Sequence, residues 1–174
     1  MLNALKIIFI LILIAYLGGC QDITPGMRAS ELTASHYWGA PKDKIEIDSY
    51  GIWRYQRHGV DYIFFLKGET TLGYRKYSPQ DKIRDVIIQW ANNARRFEDY
   101  RSHLEQYILD IINERVRTGM TPEEARLSLG APDAVNKYVD KYGNREEWTY
   151  QKPLSLEKRY LVFTNGTLTE SGNR

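Results

Sequence analysis

Cys20 carries the side chain with the clearest covalent chemistry in this 174-residue chain, and it is the only cysteine. It follows Gly18 and Gly19, small residues that let a chain lie extended in a peptidase cleft. Residues 7–19 form an uncharged apolar run with Lys6 on its amino-terminal side. The run is shorter than the roughly 20 residues of a bilayer span but matches the apolar region of a secretory signal. These features predict export, with the thiol of Cys20 available for lipid transfer.

The sequence around Cys20 resembles the lipobox of bacterial lipoproteins. The resemblance implies a signal peptide at 1–19, lipidation of Cys20 and a membrane partner bound through the amino-terminal lipid, since several acyl chains anchor a protein firmly. Gln21 stands where an aspartate would signal retention in the inner membrane. The resemblance therefore favours the periplasmic face of the outer membrane. An ordinary secretory signal or a short uncleaved anchor is the alternative.

The side chains that could perform catalysis or bind a metal are dispersed along the chain. His36, His58 and His103 lie on three different predicted elements, and none has a second histidine at ligand spacing. The sequence has no Gly-x-Ser-x-Gly motif, phosphate loop or dinucleotide fingerprint, and its net charge is only +2. We therefore predict a non-enzymatic protein without catalytic residues, metal, cofactor, small-molecule substrate or nucleic-acid partner. A hydrolase with paired carboxylates is the weakest alternative.

The elements after Cys20 are predicted to occur twice. Short motifs recur in the same order, which indicates internal duplication, although convergent use of turn residues and aromatics would give a similar pattern. The matched segments are Gly26-Met27 with Gly119-Met120, Gly39-Ala40-Pro41 with Gly130-Ala131-Pro132, Trp53-Arg54-Tyr55 with Trp148-Thr149-Tyr150, and Phe65, Gly68 and Leu72 with Phe163, Gly166 and Leu168.

Each copy is predicted to be a short helix followed by a small antiparallel sheet, because alternating apolar residues are separated by glycine-containing turns. The fold class is therefore α+β, with two helix-plus-sheet modules joined by a long helical segment. The expected strands are 44–48, 52–56, 60–66 and 70–75 in the first copy, and 134–140, 145–151, 157–164 and 167–170 in the second. The predicted domains are 1–19 (signal peptide), 20–77 (first module), 78–110 (helical connector) and 111–174 (second module).

The connector is predicted to begin at a cap formed by Ser78, with Pro79 at the first helical position. Apolar residues follow at helical spacing, and neither glycine nor proline occurs from 80 to 118. One continuous helix would be about 57 Å long, which exceeds a small domain, so a break or bend near Asn92 or Phe97 is favoured.

A short helix is predicted between residues 117 and 132. Thr121 is a suitable N-cap, Glu124 can complete a capping box, and Gly130 can end the helix in a left-handed conformation. Ala125 and Leu129 provide a small apolar face. Because so short a helix is marginal alone, we expect tertiary packing to hold it.

The second copy resembles the SmpA/OmlA (BamE-like) family of outer-membrane assembly lipoproteins. The family fold is two helices packed on a three-stranded sheet, and a tandem pair is similar to the β-lactamase inhibitory protein. The resemblance implies binding to envelope proteins, but it transfers no partner-binding residue. The residues that carry it are Gly119, Met120, Thr121, Gly130, Pro132, Trp148, Tyr150, Phe163, Gly166 and Leu168.

The chain is rich in aromatics, with 13 Tyr and 4 Trp residues. Each Trp-x-Tyr pair should face one side of its sheet, where we expect the helices to pack. Other aromatics could form an exposed protein-binding face, because rings with one polar end suit interfaces. These candidates are Tyr37, Trp38, Tyr50, Tyr62, Tyr74 and Tyr77.

Two functions from different classes follow from this sequence. The first is a lipid-anchored accessory protein of the outer membrane that binds envelope proteins. The second is a protein inhibitor of an envelope hydrolase, suggested by the tandem modules and their aromatics.

Overall fold

A computed structural model describes residues 24–96, 102–151 and 157–174. The predicted signal peptide and Cys20 lie outside the described residues, as does Phe97, one of the positions predicted for a break in the connector. Within the described ranges, no helix is both long and apolar enough to cross a membrane.

The first module consists of one short helix and a four-stranded antiparallel sheet with the strand order β1-β2-β3-β4. The turns between the strands contain two residues each, as expected for hairpins of consecutive strands. The elements are α1 (Ala29–Ala34), β1 (Asp43–Ile47), β2 (Tyr50–Arg57), β3 (Val60–Lys67) and β4 (Thr70–Tyr77).

The remaining elements are two helices that follow the first sheet, a third short helix and a second four-stranded antiparallel sheet of order β5-β6-β7-β8. The predicted α+β class with two sheet modules is confirmed, although each sheet has four strands and not the three that the family resemblance implies. The elements are α2 (Ile83–Arg96), α3 (Leu104–Ile112), α4 (Pro122–Leu129), β5 (Ala134–Asp140), β6 (Gly143–Gln151), β7 (Lys158–Thr164) and β8 (Thr167–Asn173).

The beginning of the connector differs from the prediction. Ser78 and Asp81 form a capping box, with the Ser78 amide donating to Asp81 Oδ2 over 2.7 Å, but it caps only a single 3-10 turn, Pro79–Asp81. Lys82 then adopts a left-handed conformation with φ of 48°, which a continuing helix does not permit. The helix α2 therefore begins at Ile83, and the structure shows α2 and α3 as separate described helices.

The predicted repeat has a structural counterpart at the entry to each module. The amide of Gly26 donates to the carbonyl of Thr71 (2.8 Å), and the amide of Thr71 donates to the carbonyl of Met27 (2.9 Å). The segment 119–120 makes the same pair of bonds with Leu168, at 2.9 and 2.8 Å. Both glycines have a φ of +95°, a conformation that residues with a Cβ rarely adopt. The two modules thus share a backbone pattern and not only a residue pattern.

The strand pairing gives a structural alignment of the last hairpins of the two modules. This alignment differs by one residue from the match based on sequence. After a bulge in each hairpin, Leu66 pairs with Thr71 in the first sheet, and Phe163 pairs with Leu168 in the second. Phe163 therefore corresponds to Leu66 and not to Phe65. Since neighbouring strand residues point to opposite faces, this shift places Phe65 and Phe163 on opposite sides of their sheets.

Helices pack on both faces of the first sheet. On one face, α1 packs against Trp53, Tyr55, Phe64 and Leu66. On the other face, α2 and α3 enclose a larger core, whose buried members include Ile47, Ile52, Ile63, Phe65, Ile83, Ile87, Trp90, Ile108 and Ile111. This sandwich explains why nearly every residue of β3 is at least partly buried.

The apolar core described on the second sheet contains five of the ten family-motif residues: Met120, Trp148, Tyr150, Phe163 and Leu168. Met120, Trp148 and Phe163 are buried there with Ala125, and the Tyr150 hydroxyl donates to the carbonyl of Gly130 over 3.3 Å. The expectation that each Trp-x-Tyr pair faces packed helices agrees with this arrangement in both modules. Tyr150 is only half-buried, and burial raises the pKa of its phenol, which stays neutral.

Candidate protein-binding surface

The structure brings four of the predicted interface aromatics together on the α1 side of the first sheet. Tyr37 and Trp38 follow α1, whereas Tyr62 lies on β3 and Tyr74 lies on β4. Six residues of α1 are too few to cover this face, so the end of the sheet that carries Tyr62 and Tyr74 is only half-buried. Tyr50 lies on the opposite face and packs against the core that α2 and α3 cover.

Trp38 is the centre of this aromatic cluster, but it is not part of the exposed surface. Its side chain is only 6% exposed. The ring makes edge-to-face contacts with its neighbours, with centroids 4.9 Å from Tyr37, 5.4 Å from Tyr55, 5.0 Å from Tyr62 and 5.1 Å from Phe64. Edge-to-face rings at these separations attract one another beyond simple burial. Trp38 therefore fixes the positions of tyrosines whose outer surfaces reach solvent.

Three tyrosines and two cations form the solvent-facing layer, which we call the tyrosine surface: Tyr37, Tyr62, Tyr74, Arg57 and Lys76. The Lys76 ammonium lies 5.6 Å from the Tyr62 ring centroid and 5.9 Å from that of Tyr74. The Arg57 guanidinium lies 5.3 Å from the ring of Tyr37, which is 40% exposed, and it donates to the carbonyl of Trp38. The result is a patch of phenol rings packed on Trp38 and bordered by positive charge.

Tyr55 lies beneath this surface and has the environment of a core residue. It is 2% exposed, and burial raises the pKa of its phenol to about 12. A phenol with this pKa stays protonated at neutral pH and cannot act as a base. Its place in the cluster is therefore to pack against Trp38 and Phe64.

Tyr50 and Tyr77 were expected among the interface aromatics, but the structure gives both of them internal partners. The Tyr50 hydroxyl donates to Glu105 Oε2 over 3.0 Å, and Lys67 Nζ reaches the same oxygen over 2.7 Å. Burial first, and then Glu105, raise the pKa of Tyr50. Tyr77 is buried and donates its hydroxyl proton to the carbonyl of Leu127. These two tyrosines therefore hold helices against the first sheet.

The three histidines that were considered as metal ligands or catalytic residues lie on different parts of the fold. His36, His58 and His103 are all exposed, and they lie after α1, in the β2–β3 turn and before α3. Among the described residues, no group of three or more His, Cys, Asp or Glu side chains could hold a metal ion. The absence of enzymatic activity stays a prediction.

One exposed apolar feature was not predicted from the sequence. The strand β5 and the turn that follows it expose Val135, Tyr138, Val139 and Tyr142. Within β5, Val135, Tyr138 and Val139 do not alternate regularly with polar residues, so the sequence does not indicate which face of the strand is covered. The structure shows that these side chains are accessible and that their strand lies at the border of the second sheet.

Comparisons with known proteins give little further information. No family model matches the chain, and no curated protein matches it. A solved structure of a proposed β-lactamase inhibitor protein from Streptococcus mutans is similar over 88% of this chain and 86% of its own, with 11% identity and a TM-score of 0.31. At this level the likeness defines neither the fold nor the function of this chain.

Proposed function

We propose that this chain is a lipid-anchored, non-enzymatic periplasmic protein of the outer membrane that binds other envelope proteins. The observation that carries the binding role is the tyrosine surface. Rigid aromatic rings that are already held in place lose little side-chain freedom on binding, and tyrosine is enriched among the residues that dominate binding energy.

The charges at the border of the tyrosine surface suggest the chemistry of the partner. Arg57 and Lys76 both lie against ring faces, so they stay close to any protein that packs on the rings. A partner segment with carboxylates beside an apolar centre would complement this pattern, because opposite charges steer association and set register.

The proposed location depends on the sequence around Cys20. The lipobox-like motif supports lipidation, Gln21 supports transfer to the outer membrane, and the SmpA/OmlA resemblance of the second copy supports a role in envelope assembly or integrity. Globomycin, which blocks the lipoprotein signal peptidase, should cause an unprocessed precursor to accumulate. A Cys20→Ser chain should no longer incorporate labelled palmitate. Normal processing with globomycin would contradict the lipid anchor.

The binding role can be tested by affinity purification of the tagged full chain from envelope extracts. Tyr74→Ala or Lys76→Glu should lower recovery of a stoichiometric partner about tenfold, as expected when about 1.4 kcal/mol of binding energy is lost. Tyr160→Ala is the matched control, because Tyr160 is a half-buried strand tyrosine that contacts a cation, Arg174, in the other module. Equal recovery with all variants, or repeated failure to recover any partner, would contradict the proposal.

Inhibition of an envelope hydrolase is a second candidate that uses the same surface. The exposed ring of Tyr37, which packs edge-to-face against Trp38, could enter the cleft of an enzyme. The full chain in detergent should then reduce the activity of a β-lactamase or a lysozyme-type enzyme, and Tyr37→Ala should restore that activity. Unchanged activity at micromolar excess of the chain would exclude inhibition of the enzymes tested.

A further inference from the structure

The strand β5 lies at the edge of the second sheet and is unusually accessible. Six of its seven residues are exposed, and only Asp140 is half-buried. Val135, Tyr138 and Val139 are 45%, 39% and 75% exposed. A long edge strand with exposed apolar side chains is a template for pairing with another strand, and proteins usually protect such edges.

The other three sheet edges in the described part of the chain are at least partly protected. At β1, Arg95 donates to the backbone carbonyl of Glu46 over 2.7 Å. The segment 26–27 pairs with β4, and the segment 119–120 pairs with β8. The edge strand β5 therefore differs from the other three edges, which neighbouring segments of the same chain cover at least in part.

The geometry of the β5–β6 hairpin identifies the backbone groups that face outward. Two residues form its turn, so Asp140 and Gly143 close the hairpin as a hydrogen-bonded pair. Because hydrogen-bonded and non-hydrogen-bonded pairs alternate in an antiparallel ladder, the amides and carbonyls of Val135, Lys137 and Val139 point away from β6. The outer edge therefore presents alternating donors and acceptors along three residues.

We propose that β5 pairs antiparallel with β5 of a second copy of this chain, about a two-fold axis at Lys137. In this register Val135 of each copy lies opposite Val139 of the other, so the exposed valines cover one another. Self-pairing also satisfies the outward backbone groups, because the same alternation occurs in both strands. The product is one continuous antiparallel sheet built from the second sheets of both copies.

The charges at the centre are compatible with this register. The two Lys137 side chains would be direct neighbours, and like charges at that position are normally unfavourable. However, Lys137 Nζ lies 2.7 Å from Glu146 Oε1 in the same copy. Burial disfavours the ionised form of Glu146, but hydrogen bonds from Lys137 and Trp148 outweigh this effect and lower its pKa. The interface would thus contain two neutralised pairs.

This inference goes beyond the proposed function, because the partner is a second copy and the surface is separate from the tyrosine surface. Disulfide cross-linking of the full chain in intact cells tests the register. The Cα atoms of the two Lys137 residues would be about 5.5 Å apart, within the roughly 4.4–6.8 Å that a disulfide spans. Lys137→Cys should therefore give a dimer with a mild oxidant, above the background of the parent chain, whose only cysteine is Cys20.

The matched control uses the same strand. Two Val135 residues would be separated by four residue steps, about 13 Å, so Val135→Cys alone should give no dimer. Cells that produce Val135→Cys and Val139→Cys chains together should give a mixed dimer. Equal cross-linking at 135 and 137 would overturn the two-fold register.

A charge variant tests the interface independently. Val139→Glu would place a carboxylate against Val135 of the second copy, so it should abolish cross-linking through Lys137→Cys. Ile88→Glu, at a 37% exposed position on α2, should leave it unchanged. Circular dichroism should confirm that both variants fold. The proposal is overturned if the folded Lys137→Cys chain stays monomeric or cross-links to a different protein.

Discussion

Leu127 and Ala125 are two residues apart in α4, yet they are buried in the cores of different sheets. Leu127 belongs to the core of the first sheet, and Ala125 belongs to that of the second. Each helical residue is rotated by about 100° from the previous one, so two steps point to nearly opposite sides. The helix α4 therefore lies between the modules and contributes to both.

Truncation of Leu127 should show how strongly this helix joins the modules. The side chain is fully buried, so Leu127→Ala should lower the free energy of unfolding by about 2–5 kcal/mol through lost burial and a residual cavity. Leu129→Ala should cost less, because Leu129 is only half-buried. Urea unfolding followed by circular dichroism measures both. Equal losses would contradict a special role for Leu127.

The cap of α4 should contribute measurably to stability. The Glu124 amide donates to Thr121 Oγ1 (3.3 Å), and the Thr121 amide donates to Glu124 Oε2 (2.8 Å). Thr121→Ala removes the first bond and should cost about 1 kcal/mol in thermal or urea unfolding. Thr33→Ala is the comparison, since the Thr33 hydroxyl bonds only to carbonyls of its own helix. A Thr121→Ala chain as stable as the parent would contradict the capping role.

The close approach of β4 to α3 should make Gly73 intolerant of a larger side chain. A Cβ at this position would lie 2.9 Å from Ile112 Cγ2. Gly73→Ala should therefore destabilise the chain by about 1–3 kcal/mol through overpacking. Adding Ile112→Ala removes the clashing atoms, so the double variant should be more stable than the sum of the single effects predicts. Strict additivity in urea unfolding would contradict this explanation.

Acid should weaken the ion-pair cluster at the end of β1. Asp43 lies 2.6 Å from Arg54 Nε and 3.4 Å from Arg84 Nε, and Asp61 contacts the same Arg54. Burial opposes ionisation of Asp43, but the bonds and charges of Arg54 and Arg84 outweigh it and lower its pKa below 3.8. Because the folded pKa is the lower one, Asp43 stabilises the fold above about pH 3.8, and this contribution is lost as the pH falls through the folded pKa.

This pH dependence can be measured by urea unfolding between pH 7 and pH 2. The difference in unfolding free energy between the parent and Asp43→Asn should be constant at neutral pH and should shrink in acid. A difference that grows as the pH falls would contradict the prediction that ionised Asp43 stabilises the fold.

Local features of this fold could be predicted from sequence, because a few neighbouring residues decide them. The cap at Thr121 and Glu124 occurs as predicted. The turn at Asn165 and Gly166 joins β7 to β8, and β5 has the predicted bounds of 134–140. Turn chemistry and capping depend on backbone groups only a few residues away, so a single sequence contains the required information.

Features that depend on distant contacts were predicted less well. The aromatic composition suggested an interface that included Trp38 and Tyr50, but Trp38 is buried among other rings and Tyr50 faces α3. The match of Phe65 with Phe163 was one residue away from the structural alignment, because Gly68 is the first residue of its turn whereas Gly166 is the second. Burial at such positions depends on which helix covers which face.

The sequence by itself thus determined the α+β class, the repeated order of helix and strands, the N-cap of α4 and the turn at Asn165 and Gly166, all of which follow from residue periodicity and local hydrogen bonding. Only the tertiary structure decided that α4 serves two cores, that α1 leaves the tyrosine surface partly open and that β5 is an accessible edge. The physical reason is that exposure is a property of the neighbours a residue acquires on folding, and those neighbours come from distant parts of the chain.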